Sequence, residues 1–420
     1  MLDERTVSVI QSTIPILEEQ SAALTEYFYK RLFSNHPELL PYFNQANQVS
    51  GQQPRALAGA VCAYARNIGR LGDLSDAVER IAQKHTSLQV HADHYPIVGQ
   101  HLLASFKEFL GPHGTDEVIE AWQRAYTLLA QILIAREAQI CQEHVEMPGG
   151  WQGFKKFRLL KREDESDVIT SFYFVPTDNR PIPLFKPGQY LTVRVPSPCG
   201  HTTLRHYSLS DKPGQNWLRI SVKRETGQNT KSPDGYVSNF LHNHLQTGHL
   251  LEIAPPCGSF TLDMTQGITR PLMFVAAGVG ITPLMSMALA ALEMLKERQI
   301  YFIHGARQEG VQAFKESLDN LALSHPNFTV HHRYSHISPK TTFPKSTSSV
   351  GLIDIELIKR FTPERNADYY FCGPQPFMAH INKILQDWHV PQERIHFEFF
   401  GPMQNLSPMD LEEEPKHQRL

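Results

Sequence analysis

Cysteine is scarce and unpatterned. Five occur in 420 residues, at Cys62, Cys141, Cys199, Cys257 and Cys372, with no C-x-x-C pair. An odd number of scattered thiols excludes a disulfide framework and fits a reducing compartment. An excess of one charge is also missing. Lys and Arg total 40 against 43 Asp and Glu, leaving −3, so no long-range field favours nucleic acid or an anionic membrane, and small molecules are the expected ligands. The start, Met1-Leu2-Asp3-Glu4-Arg5, lacks the basic and apolar stretches of a signal peptide. Secretion is not expected, and a cytoplasmic location is. One uncharged run, Pro271 to Leu292, is long enough to span a bilayer. Gly278, Gly280 and Pro283 break it into a strand, a tight loop and a helix, a soluble α/β pattern, so no transmembrane segment is expected. Internal repeats are absent.

The length suits about two to four domains. Residues 1–143 are predicted to be helical throughout, with apolar residues at three and four spacing in Leu24-Tyr27-Phe28-Leu32 and Leu57-Val61-Tyr64-Ile68. His144 to Trp151, with its Pro-Gly-Gly, places a linker at 144–152. Residues 153–264 turn to β: 168–175, 189–195 and 218–223 are short strands rich in β-branched and aromatic residues, which predicts a small antiparallel barrel. Over 265–402 strands near 272–276, 299–303 and 368–372 alternate with helices, the βαβ pattern of a parallel sheet that binds nucleotides. Residues 403–420, with Glu412-Glu413-Glu414-Pro415, are expected to be a disordered tail. The fold class is therefore multidomain: all-α, then antiparallel β-barrel, then α/β.

Several short patterns carry chemistry. His85 lies on a helical stretch, Ile81-Ala82-Gln83-Lys84-His85-Thr86, where a lone His is more often a surface or core residue than a ligand. Gln53 and Leu57 are four apart and share a helix face. Tyr29 and Phe43, taken singly, read as core aromatics, and Glu137 as a solvated carboxylate. In the β region stand Arg205-His206-Tyr207-Ser208, Gly235-Tyr236-Val237-Ser238-Asn239 and Lys186-Pro187-Gly188-Gln189-Tyr190. In the last region Gly278-Val279-Gly280-Ile281-Thr282-Pro283 joins a strand to a helix, Cys372-Gly373-Pro374 ends a later strand, and Phe397-Glu398-Phe399-Phe400-Gly401-Pro402 follows.

The order of these units and motifs resembles the flavohaemoglobins, from the start of the chain to about Pro402. The resemblance implies a globin, an FAD-binding barrel and an NAD(P)-binding domain. It assigns haem b ligation through iron to His85, with Tyr95 and Glu137 behind the imidazole, where a carboxylate accepting the other ring N–H pushes electron density toward the metal. Tyr29 and Gln53 are then donors to dioxygen, Phe43 packs on the porphyrin, Leu57 lines the approach of nitric oxide, and Lys84 faces the flavin domain. Arg205-His206-Tyr207-Ser208 is similar to the R-x-Y-S flavin motif of the ferredoxin-NADP reductase superfamily: Arg205 suits a pyrophosphate, Tyr207 flanks the flavin, and Ser208 bonds near its reactive nitrogen. Val237 and Ser238 fall at a helix start suited to phosphate, and Tyr190 lies against the isoalloxazine. Gly278, Val279, Gly280, Ile281, Thr282 and Pro283 form the dinucleotide-phosphate loop. Cys372, Gly373 and Pro374 form the nicotinamide side, and Phe399, Phe400, Gly401 and Pro402 the terminal element, with Phe400 covering the flavin and Glu398 tuning it. Residues 226–234 form an extended, turn-rich loop absent from shorter family examples. Arg307 could meet a 2'-phosphate or be a surface cation, so the donor is written NAD(P)H.

The activity implied is nitric oxide dioxygenase: dioxygen and nitric oxide become nitrate, with electrons passing from NAD(P)H through FAD to haem in a protein expected to act as a monomer. The alternatives are a peroxide or anaerobic nitric oxide reductase on the same electron path, and a haem-based oxygen carrier or gas sensor.

Overall fold

The computed structural model describes residues 2–43, 48, 51–197, 202–227, 234–265, 267–336 and 347–401. Cys199, Pro402, the tail 403–420 and most of the 226–234 loop lie outside the described residues.

The first unit contains α1 (Glu4–Ser12), α2 (Ile14–Asn35), α3 (Gln52–Arg66), α4 (Ser75–Leu88), α5 (His94–Leu110) and α6 (Asp116–Glu146). Their starts are written in the sequence. Asp3 accepts the Thr6 N–H at 2.8 Å to begin α1, and Thr115 accepts the Val118 N–H at 3.3 Å to begin α6. Asp116 and Glu117 then sit in the first turn, where the helix dipole favours negative charge. Phe28, Leu32 and Phe106 are almost fully buried between the helices, each contributing about 1.5–3 kcal/mol relative to exposure. The apolar stripe of α2 is narrower than its spacing suggests: Leu24, Phe28 and Leu32 face the core, but Tyr27 is exposed and donates its hydroxyl to Glu108. α6 runs three residues past 143, because His144 is buried and bonded to the Pro256 carbonyl. The connection beyond it is pinned as well, since Trp151 Nε1 donates to Ile253 O at 3.1 Å.

The middle unit is an antiparallel sheet of β1 (Lys155–Asp164), β2 (Ile169–Pro176), β3 (Tyr190–Pro196), β4 (Thr202–Ser208), β5 (Leu218–Lys223) and β6 (Leu250–Ile253), with α7 (Tyr236–His244) between the last two. Its order is β4-β3-β6-β1-β2-β5, and a bridge between Leu209 and Ile220 joins the two edges into a barrel. Phe157, Phe172, Phe174, Leu191 and Ile220 fill its interior.

The last unit is a parallel sheet of β7 (Leu272–Ala277), β8 (Ile300–Ala306), β9 (Phe328–Tyr334), β10 (Ser348–Val350), β11 (Asp368–Cys372) and β12 (Ile395–Glu398). The helices α8 (Ile281–Met294), α9 (Lys315–Ser324), α10 (Ile355–Phe361) and α11 (Gln375–Asp387) connect its strands. The order β10-β9-β8-β7-β11-β12 reverses direction between β7 and β11, the switch point beyond whose carboxyl ends ligands bind in such sheets. The uncharged run 271–292 is β7, the loop and α8. Both elements are enclosed, which is why neither needs a polar face. Among the described residues no helix is long and apolar enough to cross a membrane.

Candidate functional site

The first centre is built on α4. His85 Nδ1 lies 2.9 Å from Glu137 Oε1 and 2.9 Å from the Tyr95 hydroxyl, and that hydroxyl donates to the same Oε1 at 2.5 Å. A carboxylate only accepts, so the imidazole proton sits on Nδ1 and Nε2 is left bare. The His85 side chain keeps 33% of its surface, enough for Nε2 to take a ligand. Glu137 and Tyr95 are buried. Burial and the neighbouring Glu137 hold the Tyr95 hydroxyl well above its usual range, so it stays a donor.

Tyr29 and Gln53 also meet: Gln53 Nε2 donates to the Tyr29 hydroxyl at 3.5 Å. Burial pushes the Tyr29 phenol up to about 12, against the opposing pull of that bond. Phe43 stands edge-on to Tyr29 at 5.6 Å between ring centres, and Leu57 packs with both on the same core.

The opposite face of α4 is polar at i, i+3, i+4, i+7 spacing, and it docks on the barrel. Gln83 Oε1 accepts the buried Gly258 N–H at 3.0 Å. Ser87 Oγ donates to Lys84 O at 2.8 Å and receives His206 Nε2 at 3.0 Å. His206 is neutral, because burial, with Lys84 and Arg205 nearby, pushes it down to about 3. Its ring lies 4.6 Å from that of Tyr190, which in turn packs over Gly258; a Cβ there would come within 3.0 Å of Tyr190, and the backbone has φ +124°. Gln83→Ala strands the Gly258 N–H. We expect a loss of about 1–3 kcal/mol, read as a lower urea midpoint with an unchanged slope; an unchanged midpoint would show that bond to be idle.

Around this seam lie the flavin motifs. Ser208 is buried at the end of β4, Arg205 and Tyr207 are half-buried, and Tyr207 packs on the barrel core. Gly235 is the N-cap of α7 and gives no side-chain cap, so among the described residues its first N–H groups, with Val237 and Ser238 following, have no capping side chain, which suits an anion.

The third centre is at the switch point. Gly278, at φ +54°, turns the chain from β7 into the loop, and Ile281, Thr282 and Pro283 begin α8. Gly280 touches the other side of the switch: a Cβ on it would lie 2.3 Å from Cys372 O and 2.5 Å from Gly373 N. Cys372 Sγ donates to Glu398 O at 3.4 Å. Burial and Glu398 push its thiol well up, which does not suit a nucleophile. Pro374 caps α11, Phe399 packs on the adjacent core, and Phe400 and Gly401 are exposed. Arg307 is exposed beyond β8.

Glu398 faces back toward α4. Burial pushes its carboxyl up to about 8 although Lys84 and Arg80 pull the other way, and its buried Oε2 has no partner among the described residues. The folded state therefore holds a proton that the unfolded chain releases near the ordinary value of 4.5, and stability falls as pH rises from about 5 to about 8. Glu398→Gln is expected to flatten that fall in melting temperature; parallel curves for the two proteins would contradict the assignment.

The structure brings His85, Tyr95 and Glu137 together, and Tyr29 with Gln53, Phe43 and Leu57, as the resemblance grouped them; of the docking face only Lys84 was expected to meet the flavin domain. Gln83 and Ser87 were missed, although with Arg80 and Lys84 they form a second polar stripe on the helix of His85.

Comparison with known proteins fits this arrangement. Residues 26–133 match the globin family, 156–262 the oxidoreductase FAD-binding domain and 274–383 the oxidoreductase NAD-binding domain. A flavohemoprotein of Rhodopirellula baltica is 42% identical over 97% of this chain and 99% of its own, and one of Halalkalibacterium halodurans 43% identical over 97% and 98%. The chain belongs to the flavohaemoprotein family. A crystal structure of a flavohemoglobin from Malassezia yamatoensis with bound FAD and haem superposes on this flavohaemoprotein with TM-score 0.81, at 27% identity, over 95% of this chain and all of the other. The FAD/NAD-binding domain of a nitric oxide dioxygenase from Vibrio cholerae, 27% identical, covers 59% of this chain and 99% of its own at TM-score 0.53. The four cysteines among the described residues are free, in keeping with their scatter.

Proposed function

We propose that this flavohaemoprotein is a nitric oxide dioxygenase, forming nitrate from nitric oxide and dioxygen with electrons from NAD(P)H. The observation that carries the reading is that one helix, α4, holds a bare imidazole nitrogen on one face and grips the flavin-motif strand on the other. The Malassezia yamatoensis structure with its FAD and haem, and the reductase part named as belonging to a nitric oxide dioxygenase in Vibrio cholerae, support it.

The residues present fit both groups. His85 Nε2 would hold the haem iron, and Phe43 and Leu57 would line its pocket; Arg205, Tyr190 and the α7 start would hold FAD. When bound, the haem supplies an iron that activates dioxygen, and FAD divides a hydride into single electrons. Glu137 accepts the Nδ1 proton and makes the imidazole a stronger donor, while Tyr95 fixes the carboxylate's position. The protonated Tyr29 and the Gln53 amide present hydrogen-bond donors where negative charge develops on the oxygen substrate. Leu57 and Phe43 exclude water from that side. The Gly278–Pro283 loop and the start of α8 would receive the dinucleotide phosphates, Cys372 and Gly373 would border the nicotinamide, and the exposed Phe400 would be the cover of the flavin.

Product analysis tests the reading. Holoprotein given NAD(P)H, dioxygen and nitric oxide should release nitrate. Peroxide-dependent turnover without nitrate, nitric oxide loss only when oxygen is withheld, or no NAD(P)H consumption would each refute it, the last in favour of a carrier or sensor. Tyr29→Phe removes one donor and should speed dioxygen release about tenfold; an unchanged release rate would remove Tyr29 from the site.

A further inference from the structure

Beneath the dinucleotide loop runs a chain of hydrogen-bonded polar groups, buried except at its Asp319 end. His304, on β8, points Nε2 at Gly278 O at 3.4 Å. Its Nδ1 lies 3.2 Å from Gln312 Nε2, and the same amide nitrogen lies 2.7 Å from His332 Nδ1 on β9. His332 Nε2 reaches Asp319 Oδ1 on α9 at 2.8 Å, and Lys315 holds the other carboxylate oxygen at 3.0 Å. The Tyr334 hydroxyl donates to Gln312 Oε1. His304, Gln312, His332 and Tyr334 are all buried.

The two ends of the chain dictate every proton in it. A backbone carbonyl and a carboxylate only accept, so His304 and His332 must both carry hydrogen on Nε2. Both Nδ1 atoms are then acceptors, and of the two ends of the Gln312 amide only the NH2, with two hydrogens, can serve both. Gln312 is therefore oriented with nitrogen toward the histidines and oxygen toward Tyr334, and no donor or acceptor in the chain is wasted. Burial and the neighbouring His332 push His304 down to about 3, so the neutral form is the working one.

The consequence appears at the loop. Within one planar peptide the C=O and the next N–H point in opposite directions. Gly278 O accepts the Ile281 N–H that closes the turn, and His304 adds a second donor beneath it; together they hold that carbonyl inward and turn the Val279 N–H outward, toward the face read as receiving phosphate. The reversed peptide would aim a carbonyl dipole at an anion. We propose that His304 and Gln312 are positioning residues for NAD(P)H: Gln312 fixes the His304 tautomer, and His304 orients the Gly278–Val279 peptide for the dinucleotide phosphates. The inference rests on the reading of Gly278–Pro283 as the phosphate loop.

Gln312→Glu tests it with little change of shape. A carboxylate accepts from both Nδ1 atoms, so it draws the proton of His304 away from Nε2 and sets a bare nitrogen against Gly278 O. Titrating the flavin-loaded, full-length protein with NAD+ and with NADP+ should show about tenfold weaker binding in Gln312→Glu for whichever the wild type binds. The flavin reduction rate at saturating NAD(P)H should stay close to that of the wild type, because the groups at the nicotinamide are untouched. Equal affinity of the two proteins overturns the proposal. So does a fall in the saturated rate with affinity kept. A second measurement needs no variant: nitrogen-15 spectra of the histidines in the wild type should show His304 and His332 with hydrogen on Nε2, and an Nδ1–H form of His304 overturns the relay. A wild type that binds neither NAD+ nor NADP+ refutes the phosphate-loop reading instead, and the tautomer then decides the relay by itself.

Discussion

Replacing His85 with Ala is expected to abolish haem retention, and nitrate formation with it, while FAD stays bound and NAD(P)H still reduces it. His85 Nε2 is the bare nitrogen of the centre, with its ring held by Glu137 and Tyr95. Losing a partner behind a metal ligand already costs about 10–100-fold in metal affinity, and losing the ligand itself costs more. The flavin module is spared because its contacts lie on the other side of α4, at Gln83 and Ser87, which an alanine at 85 does not touch. The ratio of haem to flavin absorbance in purified protein reads the result. Haem at the wild-type ratio would mean that the iron is held elsewhere.

Gly280→Ala is expected to cripple the reductase half and leave the haem in place. The new Cβ would sit 2.3 Å from Cys372 O, 2.4 Å from Cys372 C and 2.5 Å from Gly373 N. All three are backbone atoms at the end of β11, so nothing can rotate aside. The loop must withdraw from the switch point, and a misplacement of about 1 Å in a positioned site costs on the order of 100-fold in rate. We expect kcat/KM for NAD(P)H to fall by about that factor, with the haem spectrum unchanged. Wild-type flavin reduction by NAD(P)H would show that the close approach of β7 and β11 is dispensable.

Much of the architecture was legible in the sequence because each unit has its own period. Helical spacing marked the first region, alternation the second, and apolar strands followed by Gly-rich loops the third; the strand predicted at 368–372 coincides with Asp368–Cys372. The partners of His85 were legible only through resemblance, since 52 residues separate His85 from Glu137 and no local pattern joins them. The docking face of α4 was hidden because Gln83 and Ser87 look like ordinary solvated residues until the barrel covers them. The relay under Gly278 was hidden for a similar reason. Its members come from β8, β9, α9 and the segment before α9, and only the parallel sheet brings them together.

The absorption spectrum of haem- and FAD-loaded protein, recorded as NAD(P)H is added without oxygen, tests the central claim most directly. Electrons entering at the switch point should bleach the flavin band and convert the haem to its ferrous spectrum in the same molecule. Flavin that bleaches while the haem stays ferric would contradict the account, because α4 would then join two centres that do not exchange electrons.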